Sequence, residues 1–258
     1  VAVTLDELQA SVQRVSGQDF DLHTPQWLSR FSNETRLAER YRKDRIFLVG
    51  DAAHIHFPAG GQGMNVGMQD AMNLGWKLAG VVNHYAPASL LDSYHAERHP
   101  VGAKLVQNTL AQSVLMMNCF DSAGQALRQS LSELLNLPAL NRALARELSA
   151  FGVTYPASLS EPVPGWTSLS PWVGQRLPDG LLRADDASES SLYSHLRGGK
   201  WLALQLTAEG TRFVPPLDEA WVKVVRAIPE NRALELAGVD VLLIRPDGHI
   251  DQALASML

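Results

Sequence analysis

The sequence is poor in cysteine: its 258 residues contain one, Cys119. A single cysteine excludes an internal disulfide and any C-x-x-C redox or zinc site, and we interpret Cys119 as a buried, inert thiol. The first residues also lack a basic region followed by an apolar one, so we expect no secretory signal peptide. Together, the scarcity of cysteine and the missing signal predict a cytoplasmic protein.

Long apolar runs and runs of positive charge are missing as well. No stretch approaches the roughly 18 apolar residues of a membrane span, which predicts no membrane partner. Lysine and arginine number 22 against 27 aspartate and glutamate, a formal net charge of −5, and this argues against a nucleic-acid partner. The hydrophobic fraction of 46% and the charged fraction of 19% are typical of a globular protein.

Helical periodicity dominates the first 150 residues. Thr4 and Gly17 have the residue types of helix caps, and Pro100 is expected to kink a longer helix. The remaining helices are expected over residues 65–82, from 88 past 100, around 127–135 and around 140–148. The apolar run 46–49, bounded by charge and glycine, predicts a fully buried strand of a parallel sheet.

The remainder of the chain has a different pattern. Several prolines between residues 149 and 178 indicate a linker, and we place a domain boundary there, near residue 160. Strand-like segments follow at 201–206, 222–228 and 239–245, and Pro-Asp-Gly at 246–248 predicts a β-hairpin over 239–251. Arg245 and His249 flank that turn, and we expect both to be solvated.

The segment from 50 to 65 has the residue types of a ligand site. Asp51 directly follows the predicted buried strand, at the sheet edge where open parallel sheets bind ligands. Its carboxylate can accept hydrogen bonds from ligand hydroxyls. The alternative for Asp51, considered by itself, is a helix-capping or turn aspartate.

A glycine-rich loop leads from this carboxylate to a helix. Gly60, Gly61 and Gly63 remove side chains, so the backbone can approach a flat ligand closely. Met64 and Asn65 then open a helix whose free N–H groups favour negative charge. A ligand with a polyol arm and a ring that becomes anionic fits this pattern, and reduced flavin has both features.

These residues resemble a known motif. The run Gly50-Asp-Ala-Ala-His54, Pro58 and the run Gly60-Gly-Gln-Gly-Met-Asn65 are similar to the second FAD-binding motif of the flavin-dependent aromatic hydroxylases, in the p-hydroxybenzoate hydroxylase-like superfamily. The similarity is greatest to the branch that acts on polycyclic aromatic polyketides and related drugs, the anthracycline, angucycline, tetracycline and rifamycin hydroxylases. Residues 70–78, 94–100 and 245–249 also resemble segments of that branch.

The resemblance implies an α/β fold in two parts. Residues 1–160 would be the C-terminal part of an FAD-binding domain of the glutathione reductase-like Rossmann type, with covering helices. Residues 161–258 would be a thioredoxin-like α+β domain that lacks C-x-x-C. The family's Gly-x-Gly-x-x-Gly motif and the Asp-Gly motif that it associates with FAD and NAD(P)H contacts belong to its N-terminal half, and neither is found in this sequence. We therefore expect the C-terminal half of a longer enzyme, which needs its N-terminal half as a partner to bind FAD.

The resemblance also implies an activity: NAD(P)H reduces FAD, with NADPH the favoured reductant, and O₂ adds to give a flavin C4a-hydroperoxide that hydroxylates an aromatic phenol. Asp51 would bind the ribityl hydroxyls, and Pro58 would lie beside the isoalloxazine. The implied cofactor-binding set is Gly50, Asp51, Pro58, Gly60, Gly61, Gly63, Met64 and Asn65. The implied substrate-facing set is Phe57, Pro58, Ala59 and Gly60. No residue is assigned as a catalytic acid or base.

Several alternatives stay open at this point. His54 and His56 could form a zinc pair, but no third ligand is evident and we expect no metal. We interpret Tyr94, Glu97 and Arg98 as residues that brace helix packing. The competing functions are another flavoprotein that shares the motif, a halogenase or an oxidase, and a non-catalytic binding or assembly module. The sequence leaves a homo-oligomer open.

Overall fold

The computed structural model describes residues 2–30, 32–118, 121–156, 166–168, 172–184, 186–206, 220–229 and 238–256. Cys119 and the predicted domain boundary near residue 160 lie outside these ranges, so both interpretations stay predictions. The chain separates into two compact units, residues 1–34 and residues 35–258.

The first unit contains one helix, α1 (Leu5–Ser16). The Thr4 hydroxyl accepts a hydrogen bond from the Glu7 N–H at 3.3 Å, which caps the amino end. Gly17 has a φ of 73° and donates its N–H to the Gln13 carbonyl, which ends the helix. The predicted helix and both of its caps are confirmed.

The second unit begins with helices joined by short turns. The helices are α2 (Gln62–Val82), α3 (Asp92–Met117), α4 (Ser122–Leu134) and α5 (Pro138–Leu148). All four predicted helices are present, and Pro100 lies inside α3. Helices α4 and α5 have no buried residue, so their leucine-bearing faces are only partly covered.

The strands of the second unit form four sheets. They are β1 (Arg36–Leu37), β2 (Arg42–Lys43), β3 (Ile46–Phe47), β4 (His54–Ile55), β5 (Trp166–Ser168), β6 (Leu181–Arg183), β7 (Glu189–Ser191), β8 (Trp201–Gln205), β9 (Val222–Arg226), β10 (Ile228–Pro229), β11 (Val241–Ile244) and β12 (Ile250–Ser256). The largest sheet has the order β5-β12-β11-β8-β9, in which β8 and β9 are parallel and the other neighbours antiparallel. The two-stranded sheets pair β1 with β4 and β2 with β3, and a three-stranded sheet has the order β10-β6-β7. The fold is therefore mixed α/β.

The predicted hairpin is confirmed as β11 and β12. Its register pairs Val241 with Leu254 and Ile244 with Ile250. Gly248 has a φ of 84° in the connecting turn and donates its N–H to the Arg245 carbonyl, so the turn uses the conformational freedom of glycine.

The prediction of a fully buried parallel strand at 46–49 is wrong. Ile46 and Phe47 pair antiparallel with β2, and the side chain of Ile46 is 67% exposed. Asp44, with a φ of 53°, reverses the chain between the two short strands. Leu48 and Val49 lie outside any strand and are only half-buried, so within the described ranges the run pairs with β2 alone.

The hydrophobic core lies on both faces of the central strands β8 and β11. Leu202, Leu204 and Leu242 point into one apolar cluster on one face. On the other face, Trp201 and Leu243 pack against a cluster that includes Trp76 from α2. This alternation with period two is the pattern of a strand covered on both faces, and it fixes the sheet against α2. None of the helices in the described ranges has the length and apolar content of a bilayer-crossing segment.

Candidate functional site

The turn that carries Asp51 packs directly on helix α2. Gly50–Ala52 form one turn of 3-10 helix between β3 and β4, and Gly50 has a φ of 58°. A Cβ atom built on Gly67 would lie 3.2 Å from the Gly50 Cα, so the two glycines allow close backbone contact. Asp51 is exposed beside this contact. The structure thus brings Asp51 next to the first turns of α2.

The glycine loop leaves the amino end of α2 open. Gly60 and Gly61 have φ values of 68° and 63°, a region that favours glycine. Gly61 is the N-cap of α2, and no side chain caps the helix. A Cβ on Gly61 would meet nothing within 4 Å. The first N–H groups of α2, from Gln62 onward, are therefore available to a ligand with an electron-rich edge.

Helix α2 starts at Gln62 rather than near Asn65, so Gly63, Met64 and Asn65 lie in its first turn. Met64 is largely exposed, and Asn65 is also exposed. In the loop before the helix, Phe57 is half-buried and Ala59 is buried, whereas Pro58 is exposed. The predicted cofactor-binding residues therefore gather at one corner of the second unit, and their roles toward a ligand stay predictions.

The two histidines of the motif have separate partners. His54 is buried and its Nε2 is 2.8 Å from the Asp70 Oδ2, while His56 Nδ1 is 2.8 Å from the Phe57 carbonyl oxygen. A Cβ on Gly63 would lie 3.0 Å from His56 Nε2, so the ring of His56 explains the need for a small residue at position 63. In the described ranges, no group of three or more His, Cys, Asp or Glu side chains is placed to hold a metal ion.

Asp70 on α2 anchors the turn that carries Asp51. Its Oδ2 accepts a hydrogen bond from the Gly50 N–H at 3.1 Å and bonds His54. Its Oδ1 accepts from Arg98 Nε on α3 at 2.6 Å. Burial by itself raises the pKa of Asp70, but the hydrogen bond from His54 and the charge of Arg98 outweigh it and lower the pKa overall. Asp70 is therefore a buried carboxylate that ties three segments together.

Glu97 on α3 is the centre of a second buried cluster. Its carboxylate accepts hydrogen bonds from Asn73 Nδ2 at 2.6 Å and Lys77 Nζ at 2.8 Å, both on α2. Arg245 donates two further bonds, from Nη1 to Oε1 at 2.9 Å and from Nη2 to Oε2 at 2.8 Å. Burial favours the neutral acid, but the bonds from Arg245 and the charges of Arg245 and Lys77 lower the pKa of Glu97.

Asp247 in the hairpin turn completes this cluster. It accepts bonds from Arg245 Nη2 at 2.6 Å and from Trp76 Nε1 on α2 at 3.0 Å. His249 Nδ1 lies 3.3 Å from Asp247 Oδ1. Burial opposes the charge of Asp247, yet the charge of Arg245 holds its pKa well below the usual range. The hairpin is thus fixed to α2 and α3 by charged groups as well as by the tryptophan cluster.

The expectation that Arg245 and His249 are solvated is wrong: they are 1% and 6% exposed. Arg245 bonds Glu97 on α3 and His249 lies against the ring of Tyr155, both distant in sequence, and a turn motif contains no information about such partners. The interpretation of Glu97 and Arg98 as bracing residues agrees with their buried bonds. One signal was present for the residues that sequence reasoning missed. Asp70, Asn73 and Lys77 follow the i, i+3, i+7 spacing of one helix face.

Two cavities flank the first turns of α2. A cavity of about 680 Å³ lies between α2, α3 and α5. A second, of about 510 Å³, is lined by Met68 and Met72 of α2 and by Arg176 and His249. Both volumes are in the range of small-molecule sites.

Two family models match the chain. The model described as an FAD binding domain matches residues 1–109, and the model described as the C-terminal domain of aromatic-ring hydroxylases matches residues 170–256. An uncharacterized aromatic compound monooxygenase of Bacillus subtilis (strain 168) is 48% identical over 253 residues, which cover 97% of this chain and 48% of the relative. The rifampicin monooxygenase of Streptomyces venezuelae is 41% identical over 247 residues, which cover 96% of this chain and 47% of that enzyme.

A solved structure has the same fold. The anhydrotetracycline hydroxylase of Streptomyces rimosus superposes with a TM-score of 0.83 at 38% identity, over 99% of this chain and 50% of that one. These matches confirm the resemblance stated from the sequence. The chain spans about half the length of the curated relatives it matches.

Proposed function

We propose a function from the premise that residues 1–109 belong to the FAD-binding-domain family and residues 170–256 to the C-terminal family of the aromatic-ring hydroxylases. The chain would be part of an FAD-dependent monooxygenase that hydroxylates a polycyclic aromatic phenol. The observation that carries the proposal is the corner at which the uncapped amino end of α2 and the exposed Asp51 turn meet.

The residues at this corner fit a flavin. The pyrimidine edge of the isoalloxazine becomes electron-rich on reduction, and the free N–H groups at Gln62, Gly63 and Met64 can donate to it. Open space beside Gly61 admits a flat ring, because a Cβ there would meet no atom within 4 Å. Asp51 can accept hydrogen bonds from the ribityl hydroxyls.

The chain's own residues have positioning roles in this proposal. Asp70 holds the Gly50 N–H and His54, and so sets the distance between the Asp51 turn and α2. Pro58 is exposed next to the open helix end, where it would border both ring and substrate. When bound, FAD supplies the redox chemistry, which takes electrons from NAD(P)H and transfers oxygen from O₂ to the substrate. No side chain of this chain is assigned as an acid or base.

We further propose that the rest of the FAD-binding domain comes from a longer polypeptide. Three surfaces support this: the short strand β3, which pairs with β2 alone in the described ranges and has an exposed Ile46, and the leucine-bearing faces of α4 and α5. Exposed apolar faces on a folded domain often mark a surface that another segment covers. The relatives are about twice as long as this chain, which leaves room for a segment that covers these faces.

The C-terminal part is proposed to be thioredoxin-like. In the order β12-β11-β8-β9, strands β8 and β9 are parallel and β11 is antiparallel to both of its neighbours. This is the strand order of a thioredoxin fold. With a single cysteine in the whole sequence, a dithiol reaction is excluded, so this part would serve structure or assembly.

The test compares the 258-residue chain with the polypeptide that its whole gene encodes. We expect the longer protein to retain FAD through gel filtration and to oxidise NAD(P)H faster with a polycyclic phenol, with one oxygen atom added to the product. Asp51→Ala should weaken FAD binding by about 1–3 kcal/mol, because acceptors for buried hydroxyls are lost. The control is Glu39→Ala, which removes an exposed carboxylate elsewhere.

Two results would count against the proposal: a colourless full-length protein, or an Asp51→Ala variant with the FAD content of the wild type. Product analysis separates the competing functions. A halogenated product indicates a halogenase, NAD(P)H or substrate oxidation without oxygen transfer indicates an oxidase, and no turnover by a colourless protein indicates an assembly module.

A further inference from the structure

We propose that the cavity between α2, α3 and α5 binds an acidic aromatic molecule and that Arg146 selects its negative charge. This inference deepens the proposed function and rests on it in one respect, namely that the molecule bound in the cavity is the substrate. The binding itself requires no flavin.

The position of the cavity connects it with the open end of α2. Gln62 and Val66, in the first two turns of α2, form part of its wall. The opposite wall comes from α3, α5 and the segment 152–156 that follows α5. A molecule in this cavity would therefore extend from the corner that carries the proposed flavin site into the helical layer.

The size and the apolar part of the wall suit a fused aromatic ring system. The volume of about 680 Å³ lies within the range of roughly 300–1,000 Å³ that is typical of ligand pockets. The larger apolar wall residues include Val66, Pro100, Val101, Leu105 and Val153. Proline and branched aliphatic side chains offer flat, rigid contact surfaces to an aromatic ring and have no polar group to desolvate.

The wall contains two acidic and two basic side chains, and Arg146 is the one that forms no ion pair within the described ranges. Lys104 Nζ lies 3.2 Å from Glu147 Oε2, so these two residues largely neutralise each other. The Glu97 carboxylate is already saturated by Arg245, Lys77 and Asn73. Arg146 also lies in the wall, and no ion pair within the described ranges involves it.

This arrangement favours an anionic ligand over a neutral one. A guanidinium binds a carboxylate or a phenolate by charge-assisted hydrogen bonds, and it stays charged at every relevant pH. An uncharged aromatic would make the same apolar contacts but only a weaker, neutral hydrogen bond to Arg146. The cavity should therefore discriminate by charge among molecules of equal shape.

The experiment uses two anthraquinone probes of nearly equal shape, the carboxylate and its neutral carboxamide. Isothermal titration calorimetry on the full 258-residue chain should show that the carboxylate binds about 5-fold more tightly than the carboxamide, as expected for a partly exposed charge pair. Arg146→Gln should remove this preference and change carboxamide binding little, because the glutamine amide can still donate a neutral hydrogen bond. Arg142→Gln, one turn earlier on α5 and outside the cavity wall, should keep the preference.

A second variant tests the location. Val101→Trp fills the cavity from α3 and should weaken both probes at least 10-fold; circular dichroism then shows whether the variant is folded. The inference is overturned if the wild type binds neither probe, if Arg146→Gln and Arg142→Gln behave alike, or if a folded Val101→Trp binds both probes normally. FAD retention by the longer polypeptide is scored separately. If the longer protein is colourless but the cavity still prefers the carboxylate probe, only the hydroxylase proposal is refuted. If the longer protein is yellow but the cavity shows no preference for the carboxylate probe, only this inference is refuted.

Discussion

Replacing Glu97 by glutamine tests how much of the stability of the second unit depends on its buried ionic cluster. In the wild type, four nitrogen atoms from Asn73, Lys77 and Arg245 donate to the two oxygens of this carboxylate. Glutamine has nearly the same shape but no charge, and its amide nitrogen cannot accept a hydrogen bond. Lys77 and Arg245 would then keep their charges without the carboxylate that compensates them.

The expected cost follows from burial. Removing one partner of a buried ion pair costs about 3–5 kcal/mol, because the other charge is left in a medium of low polarity. Arg245 keeps its bonds to Asp247, so we expect the Glu97→Gln variant at the low end, about 3 kcal/mol. The matched control is Glu147→Gln, whose pair with Lys104 has side chains that are 29% and 66% exposed. Such a pair contributes only about 0–1 kcal/mol.

Urea unfolding followed by far-ultraviolet circular dichroism gives both free energies of unfolding. The denaturant slopes of the two variants should agree with that of the wild type, which indicates that the folded states expose similar surface. If the Glu97→Gln variant loses no more stability than the Glu147→Gln variant, the bonds around Glu97 contribute no more to the fold than an exposed ion pair does.

Two further predictions concern stability. The pKa values of Glu97 and Asp70 in the folded protein lie below their ordinary values of 4.5 and 3.8. Both carboxylates therefore stabilise the fold fully above about pH 4.5, and this stabilisation is lost as the pH falls through their folded pKa values. The urea midpoint should therefore decline below about pH 4.5, and a midpoint that stays constant down to about pH 3 would contradict the assignment. Gly80→Ala should cost about 1–3 kcal/mol, because the new Cβ would lie 2.6 Å from the ring of Trp221. Gly75→Ala, on the same helix with nothing within 4 Å, should instead stabilise by about 0.5–1 kcal/mol, and equal effects of the two variants would refute the packing argument.

The elements that could be predicted from the sequence are those whose signals are local. Thr4 and Gly17 cap α1 through bonds to residues three or four positions away, so a short window contains all of the information. The same holds for the turn at Gly248 and for the apolar periodicities of the helices. The glycine loop at Gly60 and Gly61 is also local, because positive φ values need glycine wherever they occur.

The misread features depend on partners that are distant in sequence. The run at Ile46 was predicted to be buried because a continuous apolar segment usually has sheet neighbours on both sides. Among the described residues, its strand neighbour is β2 alone. Arg245 was predicted to be solvated because a charged residue beside a hairpin turn usually is. Its burial depends on Glu97, 148 positions earlier in the chain.

Tyr155 joins the two buried clusters into one system. Its hydroxyl accepts a hydrogen bond from Arg98 Nη1 at 2.7 Å, which links it to the Asp70 cluster. Its ring lies 5.0 Å from the Arg245 guanidinium carbon and 4.3 Å from the ring of His249, which links it to the Glu97 cluster.

This bridge relates the proposed ligand corner to the C-terminal hairpin. Asp70 fixes the turn that carries Asp51, and Glu97 fixes the hairpin, yet no hydrogen bond joins these two carboxylates to a common donor in the described part of the chain. Substitutions at positions 70 and 97 should then add nearly independently, and any coupling between them must pass through the packing of α2 on α3 or through Tyr155. Coupling that disappears in a Tyr155→Phe background, measured by a double-mutant cycle in urea, would show that the hydroxyl of Tyr155 transmits it. Coupling that survives would assign it to the helix packing.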